Sequence, residues 1–256
     1  MTTNALFVGH GSPMNAIDNN EFTRTWSSLG SGIAPRAIVS VSAHWYTEGT
    51  GVTAMDNPRT IHDFWGFPPE LSEVTYAAPG DPEIAELVRD VAKPTLVQND
   101  HEWGLDHGTW SVLKHMFPDA SIPVVQLSID ATKPLSEHFA LGTRLATLAR
   151  DHNVLIVGSG NVVHNLSLVD WQAGNNGVAW ADSFDAAARD IMLDDPSRLE
   201  SLTSHPDFPR AVPTPDHFLP LAYIAGVNAE LGGQVDVFNE QRTLGSLSMT
   251  GYRVAS

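Results

Sequence analysis

The chain has 256 residues, 42% of them hydrophobic, and 14 Lys and Arg stand against 30 Asp and Glu for a formal net charge of −16. A chain of this length and hydrophobic content can form one large domain with a substantial core. No stretch reaches the ~20 apolar residues of a membrane span. The acidic balance repels phosphate backbones and anionic membranes, so neither nucleic acid nor a membrane is an expected partner. Because the chain has no cysteine, disulfides and thiolate ligands are excluded. The N-terminus has no secretory pattern, so a cytoplasmic location is expected.

Short apolar runs alternate with longer segments of helical periodicity along the chain. Several of the runs are apolar on both faces, which is typical of strands covered by helices on either side. Together they predict an α/β fold: one domain over residues 1–256, with a central, largely parallel mixed sheet flanked by helices. The predicted strands are 5–8, 37–42, 51–55, 95–98, 124–128 and 154–157, the predicted helices include 81–91, 134–150 and a segment around 180–191, and 235–254 is expected to extend the sheet.

Histidines follow three of the predicted strands. His10 comes after ALFVG, His44 after AIVSVSA and His164 after VLIVGSGNVV. The carboxyl ends of parallel strands form the ligand crevice of an open α/β sheet, so these imidazoles are expected to converge there. His107 and His217 precede helical segments and can point into the same crevice. His62 and His101 lie near aromatic residues and could border the pocket.

This histidine set favours metal chemistry over the other motifs that the sequence offers. The GSGN turn at 158–161 lacks the spacing of a dinucleotide or P-loop signature, and neither Ser12 nor Ser159 lies in G-x-S-x-G. Neutral imidazoles suit zinc, copper, iron and nickel. Two or three histidine ligands with open positions describe either a zinc hydrolase or a non-haem Fe(II) oxygenase, and the spacing does not choose between them.

Eight motifs occur in an order that resembles a known family. They are VGHGSPMNAI, SVSAHWY, IHDFWGFPPEL, YAAPGDP, DHGTWSVL, IPVVQLS, GSGNVVHNL and PDHFLPL, spread from about residue 5 to 225. In these motifs the chain resembles the extradiol aromatic-ring-opening dioxygenases of the DOPA 4,5-dioxygenase type, in the superfamily of the protocatechuate 4,5-dioxygenase catalytic subunit.

The resemblance implies an enzyme that cleaves the ring of a small aromatic diol with O2 to a muconic semialdehyde-type product. Fe(II) is expected for activity, and Zn(II) is a further occupant of some members. By motif, His10, His44 and His217 would be the metal ligands. His164 would be the acid/base, with the question of whether it is also a fourth ligand left open, and His107 would bond the substrate or the oxygen. The resemblance leaves open which catechol is cleaved, which side of the diol opens and the oligomeric state.

The third ligand departs from the usual pattern of two histidines and one carboxylate. The matching segment PDH offers His217 with Asp216 beside it, and three neutral imidazoles also hold zinc in carbonic anhydrase. A zinc hydrolase with Asp216 or Glu102 as base therefore remains an alternative, as does a metal- or aromatic-binding protein without catalysis.

The segment 56–81 is rich in proline and aromatic residues and predicts a long ordered loop. Its flat apolar side chains could contact an aromatic ligand or could form a lid on the core, and the same two interpretations apply to Trp45 and Trp110. The loop residues concerned are Phe64, Trp65, Phe67 and Pro68.

Overall fold

Strands and helices alternate along residues 2–256, the part of the chain that the computed structural model describes. The strands are β1 (Thr3–Gly9), β2 (Ala37–Thr47), β3 (Thr50–Thr53), β4 (Val97–Asp100), β5 (Val124–Asp130), β6 (Val154–Gly160), β7 (Gln234–Phe238), β8 (Arg242–Thr243), β9 (Leu247–Ser248) and β10 (Gly251–Ala255). The α-helices are α1 (Glu21–Gly30), α2 (Pro69–Ser72), α3 (Pro82–Val91), α4 (His107–Met116), α5 (Leu135–His152), α6 (Ala179–Asp194), α7 (Phe208–Ala211) and α8 (Leu219–Leu231).

Eight of the strands form one sheet in the order β4-β3-β5-β2-β6-β1-β10-β7. The four central strands β5, β2, β6 and β1 are mutually parallel, so their carboxyl ends lie at one edge. The C-terminal strands extend the sheet: β10 pairs antiparallel with β1, and β7 pairs antiparallel with β10. The predicted α/β class, the mixed and largely parallel sheet and its extension by the last segment are confirmed.

Helices cover both faces of the sheet, which explains why its central strands are apolar on both sides. One buried cluster joins the sheet to α3, α5, α6 and α8, and the other joins it to α1 and α4. Every residue of β5 and β6 is buried. Within residues 2–256, no helix combines the length and apolarity that a membrane crossing requires.

Strand β2 does not end where the sequence predicts. It continues through His44 to Thr47, and its pairing with β5 is interrupted between Val41 and Tyr46. Such an interruption locally kinks a strand and re-aims its side chains. His44 therefore reaches the carboxyl edge from an irregular stretch within a strand. The segment 56–81 is irregular as predicted, apart from the single turn of α2.

His138 is a buried histidine in the first half of α5. Its side chain is 2% exposed, and its Nδ1 lies 3.0 Å from the Tyr223 hydroxyl on α8. Burial lowers the pKa of His138, so the folded chain resists the proton that the unfolded chain takes up near pH 6.5. We expect the free energy of unfolding to fall as the pH decreases from 7 to 5, and His138→Gln to weaken that fall. Urea unfolding at pH 7 and at pH 5 measures this change in the free energy of unfolding.

The matched control for that measurement is His152→Gln, which removes a partly exposed histidine from the end of the same helix. The control should keep the pH dependence of the native chain. An undiminished dependence in His138→Gln would assign the acid sensitivity to other groups.

Candidate metal centre

Five histidine side chains meet at the carboxyl edge of the central strands. The Nε2 atoms of His10 and His44 are 3.2 Å apart, and the ring of His217 lies 5.3 and 5.1 Å from those two rings, centroid to centroid. The His107 ring is 3.9 Å from that of His44. The His164 ring stacks on His217 at 3.5 Å with an interplanar angle of 2°. The convergence expected from the sequence is present.

The end of β6 positions two of these histidines through the backbone. The His10 N–H donates to Gly160 O at 3.1 Å, and the Asn161 N–H donates to His217 O at 2.8 Å. A Cβ at Gly160 would lie 2.2 Å from His217 O, so a larger residue would push the start of α8 away. This close approach is the role of the second glycine of GSGN, whose first three residues end strand β6 and do not form the turn expected from the sequence.

Ser159 determines which nitrogen of His10 carries the proton. Its hydroxyl donates to Gly108 O at 2.5 Å and lies 3.0 Å from His10 Nδ1. Because the single hydroxyl proton is engaged with the carbonyl, the serine oxygen accepts from the ring, and Nδ1 is the protonated nitrogen. The Nε2 lone pair of His10 therefore points into the site.

The Nδ1 atoms of three of the other rings contact carboxylates. Asp63 Oδ2 is 3.1 Å from His44 Nδ1, and Asp63 Oδ1 is 3.0 Å from His107 Nδ1. Asp216 is in close contact with His217 Nδ1. An ionised carboxylate only accepts hydrogen bonds, so these contacts favour Nδ1-protonated rings whose Nε2 atoms are free as ligands.

Burial and contacts with charged groups shift the pKa values of neighbouring side chains in the histidine cluster in opposite directions. Burial, with the other histidines, holds the pKa of His10 well below its usual value, and burial also lowers that of His107. Burial opposes protonation of His44 too, but its contact with Asp63 gives a net rise in pKa. The same contacts outweigh the burial of Asp63 and keep its pKa below its usual range.

His164 differs from the other four rings. Within residues 2–256 its ring nitrogens have no hydrogen-bond partner, whereas its backbone N–H donates to Ala211 O at 2.9 Å. Burial and the neighbouring His217 lower the pKa of His164 to about 3. The ring is therefore neutral near pH 7 and has a nitrogen free to accept a proton.

These donor atoms fit a transition metal. One ligand atom from each of His10, His44 and His107 lies within 4.8 Å of the other two. The Nε2 lone pairs of His10 and His44 face each other at 3.2 Å, which is repulsive unless a proton or a cation lies between them. An all-imidazole donor set suits both Fe(II) and Zn(II).

The aromatic residues singled out in the sequence divide into three groups. Phe64 packs edge-on against His107 at 5.6 Å and so lies next to the site, and Phe67 packs against Phe64. Trp65 is 89% exposed. Trp45 and Trp110 are buried, the former stacked on Trp103 and the latter donating to Ile61 O, so these two belong to the core.

The remaining histidines have local partners or lie on the surface. His62 Nε2 is 2.8 Å from Val74 O and His115 Nε2 is 2.7 Å from Asn15 O, which are structural contacts. His101 is exposed. The sequence reasoning missed Asp63 and the part played by Ser159. An acidic residue within a run of aromatic residues was the only local signal for Asp63.

The fold and the site define the class of this protein: an α/β enzyme with a histidine cluster at the carboxyl edge of its sheet. Residues 5–255 match the family described as the catalytic LigB subunit of aromatic ring-opening dioxygenase, and the chain belongs to that family. The resemblance seen in the motifs is thereby confirmed.

Relatives of this chain extend over nearly its whole length. It is 46% identical to a 4,5-DOPA dioxygenase extradiol of Escherichia coli K12, over 98% of this chain and 94% of the relative. It is 35% identical to a protein of the same name from Beta vulgaris, over 98% and 96%. The crystal structure of an uncharacterized protein from Escherichia coli K12 superposes with a TM-score of 0.85 at 41% identity, covering 98% of this chain and 99% of that one.

Proposed function

We propose that residues 1–256 form a single catalytic domain that cleaves the aromatic ring of a small, DOPA-like catechol with O2 and yields a muconic semialdehyde-type product. The observation that carries this proposal is the meeting of five imidazoles at one sheet edge, with Nδ1 partners that leave the Nε2 atoms of His10 and His44 free. The names of the relatives support the substrate class.

We infer that His10, His44 and His217 hold the metal, with His164 near enough to serve as a fourth ligand. His107 is an alternative third ligand, because its ligand atom groups with those of His10 and His44. Bound Fe(II) would supply the electron transfer to O2 that ring cleavage requires, whereas Zn(II) has no redox chemistry.

The protein side chains would handle the catechol and its protons. His164 has a neutral ring with an unpartnered nitrogen, and the negative charge of an ionising diol beside it would raise its pKa from about 3, so that it would accept a phenolic proton. His107, held by Asp63, would hydrogen-bond the substrate or the oxygen. Phe64, packed on His107, supplies apolar surface for an aromatic ring and excludes water there.

The geometry supports this function over a zinc hydrolase. A zinc hydrolase at this site would use Asp216 or Glu102 as the base that activates water. Asp216 is engaged with His217 Nδ1, and Glu102 is exposed on the turn after β4. His164 is the free proton acceptor, and a neutral imidazole suits a phenol.

The test is anaerobic reconstitution of the metal-free protein with Fe(II), followed by addition of air and a panel of catechols. Consumption of one O2 per catechol, with a yellow ring-opened product, is the expected result. The zinc-loaded protein is the control and should take up no O2. Absence of uptake across the panel, together with ester or amide hydrolysis by the zinc form, would instead establish a hydrolase.

A further inference from the structure

Asp63 contacts two histidines that have different roles in the proposed site. Its Oδ2 lies 3.1 Å from His44 Nδ1, and its Oδ1 lies 3.0 Å from His107 Nδ1. The same Oδ1 accepts the backbone N–H of His107 at 2.9 Å. The carboxylate thus joins a proposed metal ligand to the proposed substrate-binding residue.

The backbone on both sides of Asp63 is held against α4 and the turn before it. The Ile61 N–H donates to Leu105 O at 2.7 Å, and Ile61 O accepts from Trp110 Nε1 at 2.8 Å. On the other side, Phe64 packs edge-on against the His107 ring. These contacts leave the carboxylate little freedom, and its side chain is only 20% exposed.

A carboxylate in this place restricts both rings at once. Because an ionised carboxylate accepts but does not donate, Asp63 favours a proton on each Nδ1 that it contacts, although the 3.0 Å contact with His107 Nδ1 is not aligned as a hydrogen bond. The Nε2 atoms of His44 and His107 then carry lone pairs. Residues that orient ligating histidines in this way affect metal affinity about 10–100-fold.

We propose that Asp63 is a positioning residue that fixes the tautomer and ring orientation of both His44 and His107, and so couples the loop 56–81 to the metal centre. The inference rests on the proposed function in placing His44 among the ligands. It adds that a single residue of the loop 56–81 orients side chains on both the metal-binding and the substrate-binding side of the site.

A purely structural role would be the capping of α4 through the His107 N–H. Asp63→Asn separates the two roles. The amide oxygen can still accept that backbone N–H, but the amide nitrogen is a donor and must face one of the two rings. The ring concerned then has to turn or change its tautomer. Glu70→Gln, an exposed carboxylate in the same loop, is the matched control.

The experiment measures Zn(II) affinity of the metal-free protein by chelator competition, and the imidazole tautomers of the zinc-loaded protein by ¹⁵N NMR. We expect Asp63→Asn to raise the zinc dissociation constant about 10–100-fold and to shift the His44 or His107 ring signals. Glu70→Gln should match the native chain in both. Neither measurement needs substrate, so the result is independent of whether ring cleavage is found.

Thermal unfolding of the metal-free variants tests whether Asp63 has only a structural role. Unchanged zinc affinity and unchanged tautomers, with a lowered melting temperature, would show that Asp63 only caps the helix and would overturn the proposal. If Asp63→Asn does not fold, Asp63→Ser, which removes the carboxylate with a small residue, undergoes the same measurements and the same criteria apply.

Discussion

Replacing His164 by Gln is expected to leave the metal content unchanged and to lower the turnover of a catechol by about 10²-fold or more. The ring stacks on His217 at 3.5 Å, and within residues 2–256 its nitrogens have no partner. A pKa of about 3 keeps it neutral until an anion forms beside it. Glutamine occupies a similar volume but does not take up a proton, so the loss should fall on kcat.

Metal analysis and steady-state kinetics on the same His164→Gln preparation separate its two proposed roles. Intact metal with a fallen kcat and a KM close to native is the pattern of an acid/base that acts in the transition state. Loss of the metal would reassign His164 as a ligand. Unchanged turnover would remove it from the proton chemistry.

The positions of the histidines could be predicted from the sequence because they depend on local patterns. A run such as AIVSVS is apolar on both faces and indicates a buried parallel strand, and the carboxyl ends of such strands share one edge. His10 and His164 lie near that edge for this reason. For His44 the same reasoning found the place in the site but not the continuation of β2 to Thr47.

Two partners of the imidazoles could not be predicted, because they come from distant parts of the chain, whereas Asp216 adjoins His217 in the sequence. Ser159 is 149 residues from His10, and Asp63 is 44 residues from His107. These contacts depend on sheet order and on the path of an irregular loop, and neither has a periodic signature. They nevertheless determine which nitrogen of each ring is free, and with it the chemistry available to the site.

Replacing His10 or His44 by Gln is expected to abolish tight metal binding. Their Nε2 atoms face each other at 3.2 Å, and both rings have Nδ1 partners that leave those atoms free. Removing a ligand should weaken binding by more than the roughly 10–100-fold that loss of a supporting residue costs. Elemental analysis of protein purified without added metal, followed by titration with Fe(II) and Zn(II), measures the effect.

The same measurement on His217→Gln and His107→Gln identifies the third ligand. The family resemblance predicts loss of metal in His217→Gln and retention in His107→Gln, whereas the grouping of ligand atoms around His107 predicts the reverse. His138→Gln, a buried histidine on α5 outside the cluster, is the control and should retain the metal. Native stoichiometry in His10→Gln or His44→Gln would exclude that residue from the coordination shell. If the metal instead persisted in both His107→Gln and His217→Gln, His164 would be the third ligand, and its unpartnered ring nitrogen would be a donor to the metal.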